Sequence, residues 1–177
     1  MTAAATERHR YGMAPLIRFT LLVLYAALVL PLPLVAPDPL RIGLWAAFLL
    51  GWIGVVALTS EAVVLDGEGL SVAHSPWCAW LLRRGWRLPW SQVAGLTPVA
   101  TSQGGRVFYV RVRGGNQAYL LPQRVERFED FLSRFSALSG VSTDTVGRLT
   151  PPWTYQLLAV MSGALLLAEG VVLAVQR

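Results

Sequence analysis

The sequence predicts an α+β protein in which three transmembrane helices carry a small antiparallel β-sheet or barrel domain, capped by one C-terminal amphipathic helix. Three observations point there. Apolar residues make up 54% and charged residues 14% of the 177 residues, whereas a soluble domain is about a quarter charged. Three stretches are apolar over the roughly 20 residues that a helix needs to cross a bilayer core. Between the second and third, short runs alternate apolar and polar residues around Gly, Asp and Asn, and then the period changes to that of a helix.

Composition also excludes several chemistries. The mean hydropathy of +0.50 is far from that of a disordered chain. A single cysteine, Cys78, leaves no disulfide scaffold and no cysteine-based zinc site, and two histidines, His9 and His74, offer little for a histidine metal site. All 15 basic residues are arginine, so neither a Walker-type phosphate loop nor a lysine Schiff base is available.

Residues 1–13 read as a cytoplasmic N-terminal tail holding His9. Residues 14–60 read as a two-helix hairpin. Its first helix runs from about Ala14 to Ala36, with Arg18 near its start and an uncharged stretch from Phe19 to Leu30. Pro31, Pro33, Pro37 and Pro39 stop or kink it. Its second helix runs from about Leu40 to Thr59. A cleaved signal peptide is disfavoured, because the small-residue site Leu34-Val35-Ala36 has Leu at its first position and Pro37 after the cut. The third helix spans residues 153–175, after a linker at 141–152.

Arginine placement orients these spans. Arg8, Arg10 and Arg18 precede or open the first helix, Asp38 and Arg41 cancel in the short loop, and residues 61–150 carry ten arginines against seven acids. The expected arrangement places the N-terminus and the middle domain in the cytoplasm and the C-terminus on the opposite side of a bacterial plasma or thylakoid membrane.

Residues 61–140 form the expected domain. Glu61 to Leu65 is a β-rich run, Asp66-Gly67-Glu68-Gly69 is turn chemistry, and Leu70 to Ala73 returns. Trp80 to Leu88 is expected as a third strand. Val93 to Val99 follows a Pro89-Trp90-Ser91 corner, and Thr101 to Gly105 is a polar turn. Val107 to Val112 puts Phe108, Val110 and Val112 on one face and Tyr109, Arg111 and Arg113 on the other. Gly114-Gly115-Asn116 then turns the chain into Gln117 to Leu121. Val125, Phe128, Phe131, Leu132, Phe135 and Leu138 recur at helical spacing, with Gly140 as a fitting C-cap.

The runs DGEGLSV, RLPWSQVAGL, VFYVRVRGGNQAYLLP and VERFEDFLSRF together resemble the bacterial pleckstrin-homology-like domains over about residues 58–140. In that family a W-x-x-I/V corner, a hairpin and a capping helix after a proline follow in order. Trp90, Val93, Leu121-Pro122 and Phe128/Phe131 occupy those places here. A narrower resemblance links RVFYVRVRG, Arg106 to Gly114, to the photosystem I assembly proteins of cyanobacteria and chloroplasts. The third membrane helix departs from that pattern.

Two clusters and one buried charge stand out as candidate sites. Trp77, Trp80, Arg83, Arg84 and Arg87 combine tryptophan with arginine, as membrane–water interfaces do. This loop dips into the headgroup layer, or its tryptophans fill the core, or it meets a protein partner. Arg106, Tyr109, Arg111 and Arg113 offer arginine forks for a phosphate or carboxylate, or form a solvated sheet face. Glu169 is the carboxylate inside a span, and it either snorkels to the interface or meets a partner helix. Gly43, Ala47 and Gly51, and likewise Ala159 and Gly163, recur every four residues as small-residue stripes that permit close helix packing. No catalytic, cofactor or metal constellation appears. The paired carboxylates sit in a turn and on a solvated helix face, and nucleic-acid binding is not indicated.

The expected function is therefore non-enzymatic: a membrane-anchored scaffold or assembly factor for an integral membrane client, with a photosynthetic complex as the leading candidate. The alternative is a module that senses an anionic lipid surface. Nothing in the sequence sets a homo-oligomeric state.

Overall fold

A computed structural model describes residues 7–82, 85–102, 105–147 and 151–175. The chain is α+β with antiparallel sheets and three long apolar helices, and it divides into two units. One comprises residues 1–14 and 60–150, the other 15–59 and 151–177.

The first unit opens with a strand that the sequence reading missed. Residues His9–Gly12 form β1, which pairs antiparallel with β2 (Ala62–Leu65) in the register His9↔Leu65 to Gly12↔Ala62. Residues 9–12, expected in an N-terminal tail, are thus part of the domain. Tyr11 explains why: its ring is fully buried and meets Phe131 edge-on at 5.5 Å. Its hydroxyl donates to the Asp130 carboxylate at 2.6 Å.

From β2 the chain turns through Asp66, whose Oδ1 accepts the backbone N–H groups of Glu68 (3.0 Å) and Gly69 (2.9 Å). It returns as β3 (Gly69–Ala73). Gly69 is required by packing, since a Cβ there would run into the Leu88 carbonyl of the next strand. That strand, β4, covers Trp86–Pro89, shorter than the expected Trp80 to Leu88. Residues 76–81 are instead a turn, in which Cys78 and Ala79 donate to the Ser75 carbonyl. A 3₁₀ turn at Trp90–Gln92 leads into the second sheet, formed by β5 (Val93–Ala100), β6 (Arg106–Val112) and β7 (Ala118–Leu120).

The capping helix α4 spans Phe128–Ser139, with Gly140 left-handed at its end (φ 70°). It starts later than expected because Val125 bridges to Met13 and Glu126 donates its N–H to the Gly12 carbonyl. Phe128, Phe131, Leu132 and Phe135 are buried, and they join Leu65, Leu70, Leu88, Phe108 and Val110 in the core. Alternation along β6 buries Phe108 and Val110 and turns Tyr109 and Arg111 outward. The domain also runs past residue 140 into the expected linker: Val146 is buried, and Gln123 donates to the Gly147 carbonyl at 2.7 Å.

The second unit contains α1 (Pro15–Val29), α2 (Pro31–Val35), α3 (Asp38–Leu58) and α5 (Pro152–Val175). The first expected helix is broken at Pro31, which lacks the N–H that would continue the ladder. Pro15–Val35, Asp38–Leu58 and Trp153–Val175 are each long and apolar enough to cross a membrane. Within this unit Thr20 Oγ donates to Leu16 O (2.8 Å) and lies 3.2 Å from Tyr155 O, joining α1 to α5.

Candidate functional site

The register of the four-stranded sheet determines which loops share an end. Gly12 lies opposite Ala62, Ala62 opposite Ala73, and Val72 opposite Trp86. β1 therefore ends, β2 begins, β3 ends and β4 begins at the same end of the sheet. Three connections leave there: residues 13–14 toward α1, residues 59–61 from α3, and the loop 74–85.

That loop carries the tryptophans. Its turn is pinned from inside by Cys78, 2% exposed, whose sulfur lies 3.2 Å from Ser60 Oγ and 3.3 Å from Ser75 O. With the small residue inside, the large ones point out: Trp77 is 51% exposed, Trp80 81% and Leu81 69%. Trp80 Nε1 donates to Trp77 O at 3.0 Å, which ties the two together.

The other two tryptophans are partly buried and pack against the core. Trp86 stacks on Tyr119 with centroids 4.7 Å apart, and Trp90 donates to Asp66 O at 2.8 Å and meets Phe135 edge-on. The core-packing reading thus applies to Trp86 and Trp90, while Trp77 and Trp80 are exposed.

The arginines of the cluster fare differently. Arg87 bonds Glu68 at 2.6 Å and Asp66 at 3.4 Å, so its charge is largely matched. Arg83 and Arg84 lie outside the described residues.

Sequence reasoning assigned Arg8 and Arg10 to topology alone, yet both line a shallow groove of about 400 Å³ with Val64, Ser71, Ser75 and Pro76. Arg10, Val64, Ser71 and Arg87 form one row across the outer sheet face. The signal for this was a four-residue alternation, too short to register as a strand.

The second arginine group is less coherent than expected. Tyr109 and Arg111 share the outer face of β6, with the Arg111 guanidinium over Gly95. Arg106 starts that strand on the opposite parity, and Arg113 follows its end, where its N–H donates to Gln92 O.

A cleft of about 230 Å³ lies between the end of β3 and β7, lined by Glu61, His74, Trp86, Tyr109, Ala118 and Leu120 among others. His74 Nδ1 is buried there without a hydrogen-bond partner. No group of His, Cys, Asp and Glu suited to a metal ion occurs among the described residues.

β1 is fastened by an electrostatic network. His9 Nε2 lies 3.1 Å from Glu7 and 2.9 Å from Arg134, which also holds Asp130 at 3.1 Å. Burial, reinforced by the Asp130 carboxylate, pushes the Tyr11 phenol up to about 12. The Tyr11 hydrogen bond is the main cause holding Asp130 below its usual carboxylate value.

In the helical unit the small-residue stripe splits. A Cβ at Gly51 would collide with the Tyr25 hydroxyl, which donates to Phe48 O at 2.9 Å, whereas Gly43 and Gly163 face open space. Ala47 is exposed and Ala159 half-buried. Tyr25, Phe48 and Trp52 stack into an aromatic cluster that the sequence reading did not single out. Glu169 is half-buried on α5, with no hydrogen bond or ion pair among the described residues.

Against known proteins, the chain is 37% identical over 161 residues to slr0269, an uncharacterized protein of Synechocystis, covering 88% of this chain and 81% of that one. No protein-family model and no solved structure matches it.

Proposed function

We propose, for a chain that belongs to the family of the Synechocystis protein slr0269, a non-enzymatic membrane-anchored scaffold whose domain engages an anionic lipid surface. One observation carries this reading. The loop that exposes Trp77, Trp80 and Leu81 leaves the sheet from the same end as the two short connections to the apolar helices. Exposed tryptophans are costly in bulk water and favoured at headgroup depth, where the ring is apolar and the N–H stays wet. Arg8 and Arg10 add charge that attracts anionic lipid, worth about 1 kcal/mol per residue near the surface. A pleckstrin-homology-like assignment is supported by the order of four strands, three strands and a closing helix. A thylakoid location is compatible with the cyanobacterial relative, and the arginine placement favours a cytoplasmic domain.

The full chain in nanodiscs with brominated lipids tests the proposal. Replacing Trp77 and Trp80 together by Ser should lower the quenched fraction of tryptophan fluorescence, while Trp45, Trp52 and Trp153 report unchanged in both proteins. The difference should grow with anionic lipid. Equal quenching in wild type and variant removes the reading.

A second reading, assembly of an integral membrane client, is favoured by Glu169. A half-buried carboxylate on an apolar helix with no partner among the described residues is suited to a donor on another helix.

A further inference from the structure

The ladder between β6 and β7 is short, and its alternation has a consequence at the sheet edge. Leu121 donates its N–H to Phe108 O at 2.8 Å, and Val112 donates to Gln117 O at 3.0 Å. With Tyr109 opposite Leu120 and Arg111 opposite Ala118, the hydrogen-bonded pairs are therefore 108/121, 110/119 and 112/117. The backbone N–H and C=O groups of Ala118 and Leu120 point the other way, off the edge of the sheet. Among the described residues β7 has no second neighbour, since the three-stranded sheet ends there.

Both residues line the 230 Å³ cleft, whose other wall holds Glu61 and His74. Glu61 is half-buried and has no ion pair or hydrogen bond among the described residues, although arginine is the domain's prevalent charge. His74 Nδ1 is buried and unpaired. Trp86 and Tyr109 supply apolar walls.

An unpaired strand edge beside a shaped, acidic cleft fits one kind of occupant. We propose that β7 is a docking edge for an extended segment of a partner protein, which pairs with Ala118 and Leu120 and sets an Arg or Lys side chain against Glu61. Main-chain pairing supplies affinity and the alternate side chain supplies selectivity. The proposal is independent of the lipid contact, because neither Trp77 nor Trp80 takes part in it.

The test uses the full chain in detergent micelles, backbone amide NMR, and two synthetic pentapeptides, acetyl-Thr-Val-Arg-Val-Thr-amide and its Glu counterpart. The Arg peptide should shift the amides of 118–120 and of 61 and 74 in a saturable way. The Glu peptide should bind at least tenfold more weakly. Glu61→Gln should weaken the Arg peptide by roughly fivefold, the scale of a single half-exposed charge pair. Leu120→Pro removes an N–H that β6 does not use, so the sheet should persist while binding is lost. In case that variant perturbs the fold, N-methylation of the peptide on its pairing side should abolish binding to wild type, and methylation on the opposite side should not. No saturable shift with the Arg peptide at millimolar concentration overturns the proposal. So do equal affinities for both peptides, or indifference to which side is methylated.

Discussion

Replacing Tyr11 by alanine should detach β1 and loosen the whole domain. The ring is fully buried. Aromatic side chains bury about 150–250 Å², and at about 25 cal/mol per Å² that corresponds to roughly 4–6 kcal/mol. Truncations of buried aromatics cost about 3–5 kcal/mol, so about 4 kcal/mol is expected, a large part of a domain's ~5–15 kcal/mol. Hydrogen exchange by mass spectrometry on the full chain in nanodiscs reads this directly. Amides of 62–73 should exchange roughly 10²–10³-fold faster, at about 1.4 kcal/mol per decade, while those of α3 stay unchanged as an internal control. Tyr11→Phe keeps the contact with Phe131 and loses only the bond to Asp130. That carboxylate is 41% exposed and can rehydrate, so about 1 kcal/mol or less is expected.

The pH dependence has a definite sign. Asp130 is depressed in the folded protein, so its contribution is present above pH 3.8 and is lost as pH falls through the lower folded value. The gap between wild type and Tyr11→Phe should close in that acid range. Tyr11 is raised, so stability held below pH 10 should be lost between pH 10 and about 12 in wild type, a loss the Phe variant lacks. Exchange of 62–73 in Tyr11→Ala within threefold of wild type would refute the placement of β1 in the core.

Three other outcomes are expected. Glu169→Leu should leave insertion intact but lose a co-purifying client, and Glu169→Gln should retain part of it; identical partners from all three proteins end the client reading of this residue. A reporter that fluoresces only in the cytoplasm should be bright when fused after residue 140 and dark after Arg177, and a bright C-terminal fusion would remove the third span. Gly51→Leu should displace Tyr25 and lower the melting temperature in detergent, since overpacking costs about 1–3 kcal/mol. Gly43→Leu, with open space around it, should not.

Legibility in the sequence followed the length of the pattern. The three long helices were readable because each stays apolar over about twenty residues, α4 because its helical period repeats over several turns, and β6 because Phe108 and Val110 alternate with Tyr109 and Arg111. The His9–Gly12 strand was not, because four residues carry no period and its partner comes about fifty residues later in the sequence, after two long apolar segments. The tryptophan cluster misled for a different reason. Residues 80–88 have strand composition, but buried Cys78 and the Ser75 turn commit the first part to a loop. Composition located the candidate surface without separating Trp77 and Trp80 from Trp86 and Trp90, whose difference is set by tertiary contacts with Tyr119 and Phe135.

The separation of β1 from β2 also orders events during synthesis. β1 leaves the ribosome about fifty residues before its pairing partner, and at ~5–20 residues per second it waits several seconds. In that interval both apolar helices are made. If these helices cross a membrane, as proposed above, the sheet can close only when the two strands end up on the same side of the bilayer, which requires both helices to insert. A chain with one helix inserted would strand Tyr11 across the membrane from Asp130, leaving an open core for proteases to find. On that reading, completed folding of the domain would report that both helices had inserted.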